Sequence, residues 1–220
     1  MTVRIVLKDI TVIHSRGTPF ERTALRDISL EIESGKFYLI TGSNGSGKTT
    51  LLQVIALLIK PFKGHVIFDG KNPWENPKSF RRKLGFSFQF PEDQMFEFTV
   101  KDEIAYASKN FGLENVEIRV KKALEMVGLE PERFMNRPPF TLSGGEKRKV
   151  AIASIVAHEP EILLLDEPFV NLDWPSRREL LEFLEKWKDS GKGTVVASHY
   201  INMLKDMADV ILKIENGMMR

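Results

Sequence analysis

The chain has 220 residues, 42% of them hydrophobic, which suffices for one large domain or for a core with one insertion. Its 32 basic and 30 acidic residues are mixed along the sequence, so no basic tail or stripe indicates a nucleic-acid partner. The absence of cysteine excludes disulfides and thiolate metal sites. Because the N-terminus is not a signal peptide and no apolar run could span a bilayer, any membrane role must come through a partner.

The first half of the chain is predicted to consist of strands around one helix. Strands are predicted over 3–12, 28–32, 37–40, 65–70 and 84–88. The first two read as antiparallel edge strands joined by a loop. A mostly buried helix is predicted to end at Ile59, and residues 72–78 to form a surface excursion.

The second half is predicted to begin with helices and to end with strands and helices. Apolar residues at helical spacing predict one buried helix face, formed by Val116, Val120, Ala123, Leu124 and Val127. The apolar run over 162–165 predicts a central parallel strand buried on both faces. The remaining predicted elements are a helix from about Pro175, a strand over 194–198, a short helix over 201–207 and a strand over 210–214.

Strands that alternate with helices predict an α/β fold with a mostly parallel sheet. The N-terminal strands add an antiparallel β edge subdomain, and the helices in the middle of the chain form an inserted helical subdomain. We therefore expect one domain over 1–220, with a core made of 1–89 and 159–220 and a helical insertion at 90–158.

Residues 41–52, TGSNGSGKTTLL, contain the pattern G-x-x-x-x-G-K-[ST] of phosphate-binding loops. Its glycines permit positive φ and a close approach to phosphate, and the following helix adds its positive dipole end. Lys48 is expected to contact the β- and γ-phosphates, and the Thr49 hydroxyl to ligate Mg²⁺. The predicted nucleotide-binding residues are Gly42, Ser43, Asn44, Gly45, Ser46, Gly47, Lys48, Thr49 and Thr50. A chance Gly/Ser-rich turn is the alternative, but the strand before and the helix after argue against it.

Four polar or glycine positions follow predicted strands directly: Gly42, Gln89, Asp166 and His199. Because ligands of such sheets bind at the carboxyl ends of the strands, these positions are expected to share one site. Asp166 is expected to hold Mg²⁺ and Glu167 to polarise the attacking water. The alternative for this acidic pair is a cap on the next helix.

A second glycine-containing motif, LSGGEKR, covers 142–148. Ser143, Gly144 and Gly145 at the start of a predicted helix form a second helix N-terminus that could attract an anion. The alternative is an N-cap with Glu146 at the third position of a capping box, and the two interpretations are compatible.

GSNGSGKT, Gln89, LSGGEKR, ILLLDEP, NLD and ASH together resemble, in the same order, the motif set of the ATPase subunits of ABC transporters. The resemblance covers essentially the whole chain, and LSGG separates this family from other phosphate-loop proteins. GTPFE at 17–21 and FQFPEDQ at 88–94 resemble, more narrowly, the ATPases of energy-coupling-factor and cobalt-type importers.

The resemblance implies a RecA-like phosphate-loop core and a head-to-tail dimer that sandwiches two ATP molecules with Mg²⁺. Asp173 would lie in a loop that crosses to the partner. His199 would contact the γ-phosphate and hold Glu167 in line, and Gln89 would sense Mg²⁺ and water. The implied catalytic residues are Glu167, His199, Gln89 and Lys48. The implied metal ligands are Thr49, Gln89 and Asp166. The residues implied to act in trans are Leu142, Ser143, Gly144, Gly145 and Glu146.

The sequence departs from the family pattern at the adenine site. His14 occupies the position of the usual stacking aromatic residue, and Phe20 or Phe37 are the alternatives. His65 and His158 are interpreted as surface or strand residues without a role. Relatives of the coupling-factor type usually continue with a C-terminal extension, and whether this chain is a compact member or a shortened one is left open.

The stretch FPEDQMFEF at 90–98 is interpreted either as the packed core of the helical subdomain or as a groove for a membrane partner. The resemblance implies an ATPase on the cytoplasmic face of the membrane that energises an importer of a vitamin or metal ion. Its partners would be an integral membrane component and a second ATPase, with a heterodimer favoured. The alternatives are a soluble ABC ATPase outside transport, for which no coiled coil, second cassette or basic face is visible, and a nucleotide-gated subunit with little turnover.

Overall fold

The computed structural model describes residues 2–90 and 95–220, whose strands form two sheets. The strands are β1 Arg4–His14, β2 Arg22–Glu33, β3 Phe37–Thr41, β4 Lys63–Phe68, β5 Leu84–Ser87, β6 Ile162–Asp166, β7 Gly193–Ala197, β8 Val210–Glu215 and β9 Met218–Met219. The helices are α1 Lys48–Ile55, α2 Pro77–Arg81, α3 Val100–Asn110, α4 Val116–Met126, α5 Pro131–Phe134, α6 Gly144–Val156, α7 Trp174–Asp189 and α8 Ile201–Leu204. Short 3₁₀ turns cover Pro73–Glu75 and Pro139–Thr141.

The larger sheet has six strands in the order β5-β6-β7-β3-β8-β9 and is parallel except for β9. Strands β3, β6 and β7 are buried along their whole length. Alternate residues face two separate cores, since Leu39 and Leu163 join one apolar cluster while Ile40 and Leu164 join the other. Burial on both faces explains the continuous apolar runs of these strands and confirms the predicted mostly parallel sheet.

The smaller sheet is antiparallel and has the strand order β2-β1-β4. Ile5 pairs with Ile32 on one side and with Phe68 on the other, and all three side chains are fully buried. This sheet shares its apolar cluster with α1, which begins directly after the glycine-rich loop. The predicted antiparallel β edge subdomain is therefore confirmed.

Helices α3, α4 and α6 lie between β5 and β6 in the sequence and pack on one another. The predicted apolar face of α4 is confirmed, because Val120, Ala123, Leu124 and Val127 are buried and Val116 packs against the same cluster. That cluster also contains residues of β6, so the helices share a core with one face of the sheet. The exact division at 89/90 and 158/159 stays a prediction.

Several element boundaries differ from those predicted. Strand β2 already begins at Arg22, so the loop before it is shorter. Helix α1 ends before Ile59, because Leu57 adopts a left-handed φ of 59° that a helix cannot continue through. The excursion over 72–78 contains a 3₁₀ turn and the start of α2, and α8 is shorter than the predicted 201–207.

The histidines outside the candidate site have different environments. His65 is exposed on β4, as predicted. The prediction for His158 was wrong, because it follows α6 and is buried against the start of β5. Its Nε2 lies 3.1 Å from the Leu84 carbonyl oxygen, and its ring centroid lies 5.2 Å from that of Phe111. His158 is therefore a packing residue that joins the end of α6 to the sheet.

Phenylalanines after β5 lie at the surface. Phe96 and Phe98 are 61% and 88% exposed, so the core interpretation of this stretch is wrong for them, although Met95 packs against the core. Phe96 and Phe98 line a groove of about 380 Å³ together with Phe140. We call Phe96, Phe98 and Phe140 the aromatic patch. The predictions that concern 91–94 fall outside the described residues.

Candidate active site

The carboxyl ends of β3, β5, β6 and β7 border one cavity of about 590 Å³. The strand-end residues in its lining are Gln89, Asp166, Glu167 and His199. The predicted loop and helix residues in its lining are Asn44, Gly45, Gly47, Lys48, Thr49 and Thr50. His14 and Arg22 border it from the antiparallel sheet. Residues from four separate sequence features, namely the phosphate loop, Gln89, ILLLDEP and ASH, thus lie around a single space.

The glycines of the loop are required by the packing of the loop itself. Gly42 and Gly47 have φ values of 150° and 113°. A Cβ on Gly42 would lie 2.3 Å from the Ile214 carbonyl oxygen, and one on Gly47 would lie 2.7 Å from the Ala24 carbonyl oxygen. Any side chain there would displace the loop from β8 or β2, so the glycines fix its position as well as its conformation.

Lys48 is the buried cation of the cavity. Its Nζ donates to the carbonyl oxygens of Gly42, at 2.9 Å, and Ser43, at 3.2 Å. The same nitrogen lies 3.8 Å from Oε1 of Glu167. Since Lys48 is the first residue of α1, its ammonium lies beside the positive end of that helix. The loop therefore offers an anion both a full charge and backbone N–H groups.

Asp166 and Thr49 form a pair of oxygen ligands next to this cation. The Thr49 hydroxyl favours the ionised form of Asp166, but burial outweighs this effect and raises the pKa of Asp166. Asp166 Oδ1 is buried and has no hydrogen-bond partner among the described residues. Among the described residues, no group of three or more histidine, aspartate or glutamate side chains could hold a metal ion. One carboxylate with one hydroxyl fits Mg²⁺, which normally completes its shell with substrate phosphates and water.

Glu167 is held by a turn that immediately follows β6. It has a φ of 46°, a conformation rare for a non-glycine residue and one often found at active sites. Its N–H donates to the Ala197 carbonyl oxygen at 2.8 Å. Oε2 lies 2.9 Å from Nδ1 of His199 and accepts from the His199 N–H at 3.3 Å. An ionised carboxylate can only accept, so the pair places a proton on Nδ1.

Of the three candidates for the adenine contact, only His14 borders the cavity. Its Nε2 lies 3.2 Å from Oγ1 of Thr50. Phe37 is fully buried in the core, which excludes it, and Phe20 is 83% exposed on the loop before β2, outside the cavity lining. The sequence reasoning missed Arg22, which donates from Nη2 to the Gly45 carbonyl oxygen at 2.7 Å. Only the register of β1 and β2 could have revealed it.

Comparison with known proteins agrees with this geometry. A family model described as ABC transporter matches residues 25–170. The chain belongs to the ABC transporter family. The energy-coupling factor transporter ATP-binding protein EcfA2 of Thermotoga maritima is 46% identical over 98% of the chain and 80% of the relative. EcfA2 of Clostridium tetani is 40% identical over 97% of the chain and 76% of the relative.

Solved structures of this ABC family share the fold. The ATP-binding cassette MJ0796, solved as a dimer in a post-hydrolysis state with ADP and Pi, has a TM-score of 0.87 and 32% identity, covering 98% of this chain and 96% of its own. The cbiO1 protein from Clostridium perfringens, part of the ABC transporter complex cbiONQ, has a TM-score of 0.84 and 29% identity, covering 98% and 86%. The predicted resemblance to ABC and energy-coupling-factor ATPases is confirmed, and with it the ATP-hydrolysing class of this chain.

The LSGG segment of this ABC ATPase lies outside the described lining of the cavity. Ser143 caps α6, and the predicted capping box is present: Ser143 Oγ accepts from the Glu146 N–H at 3.3 Å, and Glu146 accepts from the Ser143 N–H at 2.8 Å. That second bond holds the pKa of Glu146 below its usual range. None of the segment 142–146 is in the described lining of the cavity. One chain therefore does not bring its two glycine-containing helix starts together.

Asp173 is also remote from the described cavity lining. It is exposed and caps α7, where its Oδ1 accepts from the Ser176 N–H at 2.9 Å. The hydrogen bonds from Ser176 lower the pKa of Asp173, so the carboxylate is ionised. The predicted role of Asp173 in contacts between subunits stays a prediction.

Proposed function

We propose that this chain binds ATP together with Mg²⁺ and hydrolyses it to drive an importer of the energy-coupling-factor type. The observation that carries the proposal is the meeting of Lys48, Glu167 and His199 in one cavity beside the phosphate loop. A buried cation, a carboxylate and an imidazole within contact distance are the groups that phosphoryl transfer to water requires.

The contacts of these residues suggest a separate role for each of them. Lys48 binds the β- and γ-phosphates, while Thr49, Asp166 and the nearby Gln89 hold Mg²⁺, which neutralises phosphate charge when bound. Glu167 orients the attacking water and accepts its proton. His199 keeps the Glu167 carboxylate in place through the Nδ1 contact at 2.9 Å and presents its other ring nitrogen to the γ-phosphate.

A second ATPase subunit completes the site in this proposal. The LSGG segment lies outside the described lining of its own chain's cavity, and phosphate needs charge stabilisation on several sides. The partner would therefore supply Ser143, Gly144 and Gly145 in trans, next to the loop that contains Asp173. The MJ0796 cassette is a dimer, and the GTPFE stretch at 17–21 supports a heterodimer of two different ATPases.

The membrane partner is assigned to the aromatic patch. Phe98 and Phe140 are 88% and 78% exposed, which is unusual for such large apolar side chains. A groove lined by exposed aromatic rings can receive an apolar helix. No helix of the described ranges has the length and apolarity for a membrane crossing. We place the chain at the cytoplasmic face, bound to an integral component of an importer for a vitamin or metal ion.

The chemistry is tested with two variants of the purified protein. Glu167→Gln should lower kcat at least about 100-fold, the scale of a lost general base, and should leave ATP affinity unchanged. Lys48→Ala should raise the Kd for ATP by tenfold or more, since a charged hydrogen bond contributes about 1.5–3 kcal/mol. Glu182→Gln, at an exposed position on α7, is the control. Near-normal turnover by Glu167→Gln would refute its role as the base.

The partners are tested by a tagged pull-down from native membranes in mild detergent. Wild-type protein should recover an integral membrane protein and a second ATPase. Phe98→Ser with Phe140→Ser should lose the membrane protein and keep the ATPase, whereas Phe62→Ser, exposed but outside the aromatic patch, should keep both. Recovery of only soluble or nucleic-acid-associated proteins would contradict the transport role and leave the ATPase chemistry intact.

A further inference from the structure

Arg22 and His14 form a cross-strand pair at the end of the β1–β2 hairpin. His14 is the last residue of β1, Arg22 is the first of β2, and the two are register partners. Directly opposite residues of an antiparallel pair project from the same face with their Cβ atoms about 4.5–5.5 Å apart. Both residues border the nucleotide cavity.

Each of these planar side chains is tied to the phosphate-loop segment by one hydrogen bond. Arg22 Nη2 donates to the Gly45 carbonyl oxygen at 2.7 Å, and His14 Nε2 lies 3.2 Å from Thr50 Oγ1. Their positions are thus set relative to the loop on which phosphates bind. Arg22 is nevertheless exposed, so its guanidinium is accessible from the cavity.

The remaining polar groups divide the cavity into two ends. Lys48, Asp166 and Glu167 are grouped at the strand ends and suit phosphates and a metal ion. The hairpin end has no carboxylate in the described lining and presents an imidazole and a guanidinium. A guanidinium stacks on aromatic faces and donates several hydrogen bonds, which suits a purine and its ribose.

We propose that Arg22 is a positioning residue for the nucleoside part of ATP, opposite His14. The inference rests on the proposed nucleotide binding and adds to it a second planar contact where the family's usual aromatic residue is replaced by histidine. Anchored on Gly45, the guanidinium couples the position of the base to that of the phosphate loop. Arg22 has no part in the hydrolysis step itself.

The test compares ATP with inorganic tripolyphosphate, which occupies the phosphate loop but has no nucleoside. Arg22→Met removes the plane and the donors, whereas Arg22→Lys keeps a charge and a donor but not the plane. Both should raise the Kd for ATP about tenfold and change the Kd for tripolyphosphate less than twofold. The kcat at saturating ATP should stay within twofold. Arg26→Met, an exposed arginine on the same strand, should change nothing.

Three results would overturn the inference: an unchanged Kd for ATP in Arg22→Met, full ATP affinity in Arg22→Lys, or equal weakening of ATP and tripolyphosphate. The last would make Arg22 only a clamp on the loop. A wild-type protein that binds ATP without hydrolysing it would contradict the proposed function. The comparison for Arg22 would still stand, because it uses binding alone.

Discussion

His158 should make the stability of the fold depend on pH. Burial lowers the pKa of His158 from 6.5 to about 4, and the charges of Arg82 and Arg119 act in the same direction. The hydrogen bond to the Leu84 carbonyl opposes this shift but does not outweigh burial. Nδ1 has no hydrogen-bond partner among the described residues, so a second proton there would be buried without an acceptor.

The sign follows from comparing the two states. The unfolded chain takes up a proton near pH 6.5 and the folded chain only near pH 4, so acid favours unfolding in this window. The contribution of His158 is intact above pH 6.5 and is lost progressively as the pH falls towards 4. Between pH 7 and pH 5 the two pKa values correspond to a loss of about 2 kcal/mol.

The assay is urea unfolding of the nucleotide-free protein at several pH values. His158→Gln can keep a donor for the Leu84 carbonyl but does not titrate. From pH 7 to pH 5, the free energy of unfolding of wild type should fall by about 2 kcal/mol more than that of this variant. His65→Gln, at the exposed histidine of β4, should show no such change. A difference between wild type and His158→Gln that is constant with pH would refute the reasoning.

Three further predictions concern the site. Gly42→Ala should lower the melting temperature by roughly 5 °C or more, measured by calorimetry, because its Cβ would lie 2.3 Å from a carbonyl oxygen. A Cβ on Gly144 would meet no atom within 4 Å among the described residues outside its own helix turn, so Gly144→Ala should keep its melting temperature and ATP affinity. Its ATPase activity should fall if the residue acts in trans, and unchanged activity would count against that role. Asp166→Asn should keep or raise the stability of the nucleotide-free protein, since it removes a buried charge, but should abolish the stabilisation that Mg²⁺ adds to ATP binding in a thermal-shift assay.

The parts of the site that depend on local sequence could be predicted. The spacing of Gly42, Gly47 and Lys48 dictates a loop between a strand and a helix, and parallel pairing then brings Asp166 and His199 to the same edge. These inferences need only strand ends and the handedness of parallel connections. Neither requires knowledge of side-chain packing.

The features that could not be predicted from the sequence depend on contacts between residues far apart in the chain or on a single backbone conformation. His158 lies against Leu84, 74 positions earlier, and no periodicity near His158 indicates that burial. Arg22 reaches Gly45 only because a bulged hairpin aligns it with His14, and such a register cannot be read from alternation alone. The end of α1 was misplaced because the apolar run continues beyond the turn at Leu57.

The two interpretations of LSGG are chemically compatible, which bears on how a dimer would assemble. The capping box uses the N–H groups of Ser143 and Glu146 and does not involve those of Gly144 and Gly145. Glu146 is held ionised near the same helix start, a charge that would oppose an incoming phosphate, but Arg137 Nη1 lies 3.6 Å from its Oε1. Local capping thus shapes the segment in the single chain, and in the proposed dimer the N–H groups of Gly144 and Gly145 would serve the nucleotide of a second subunit.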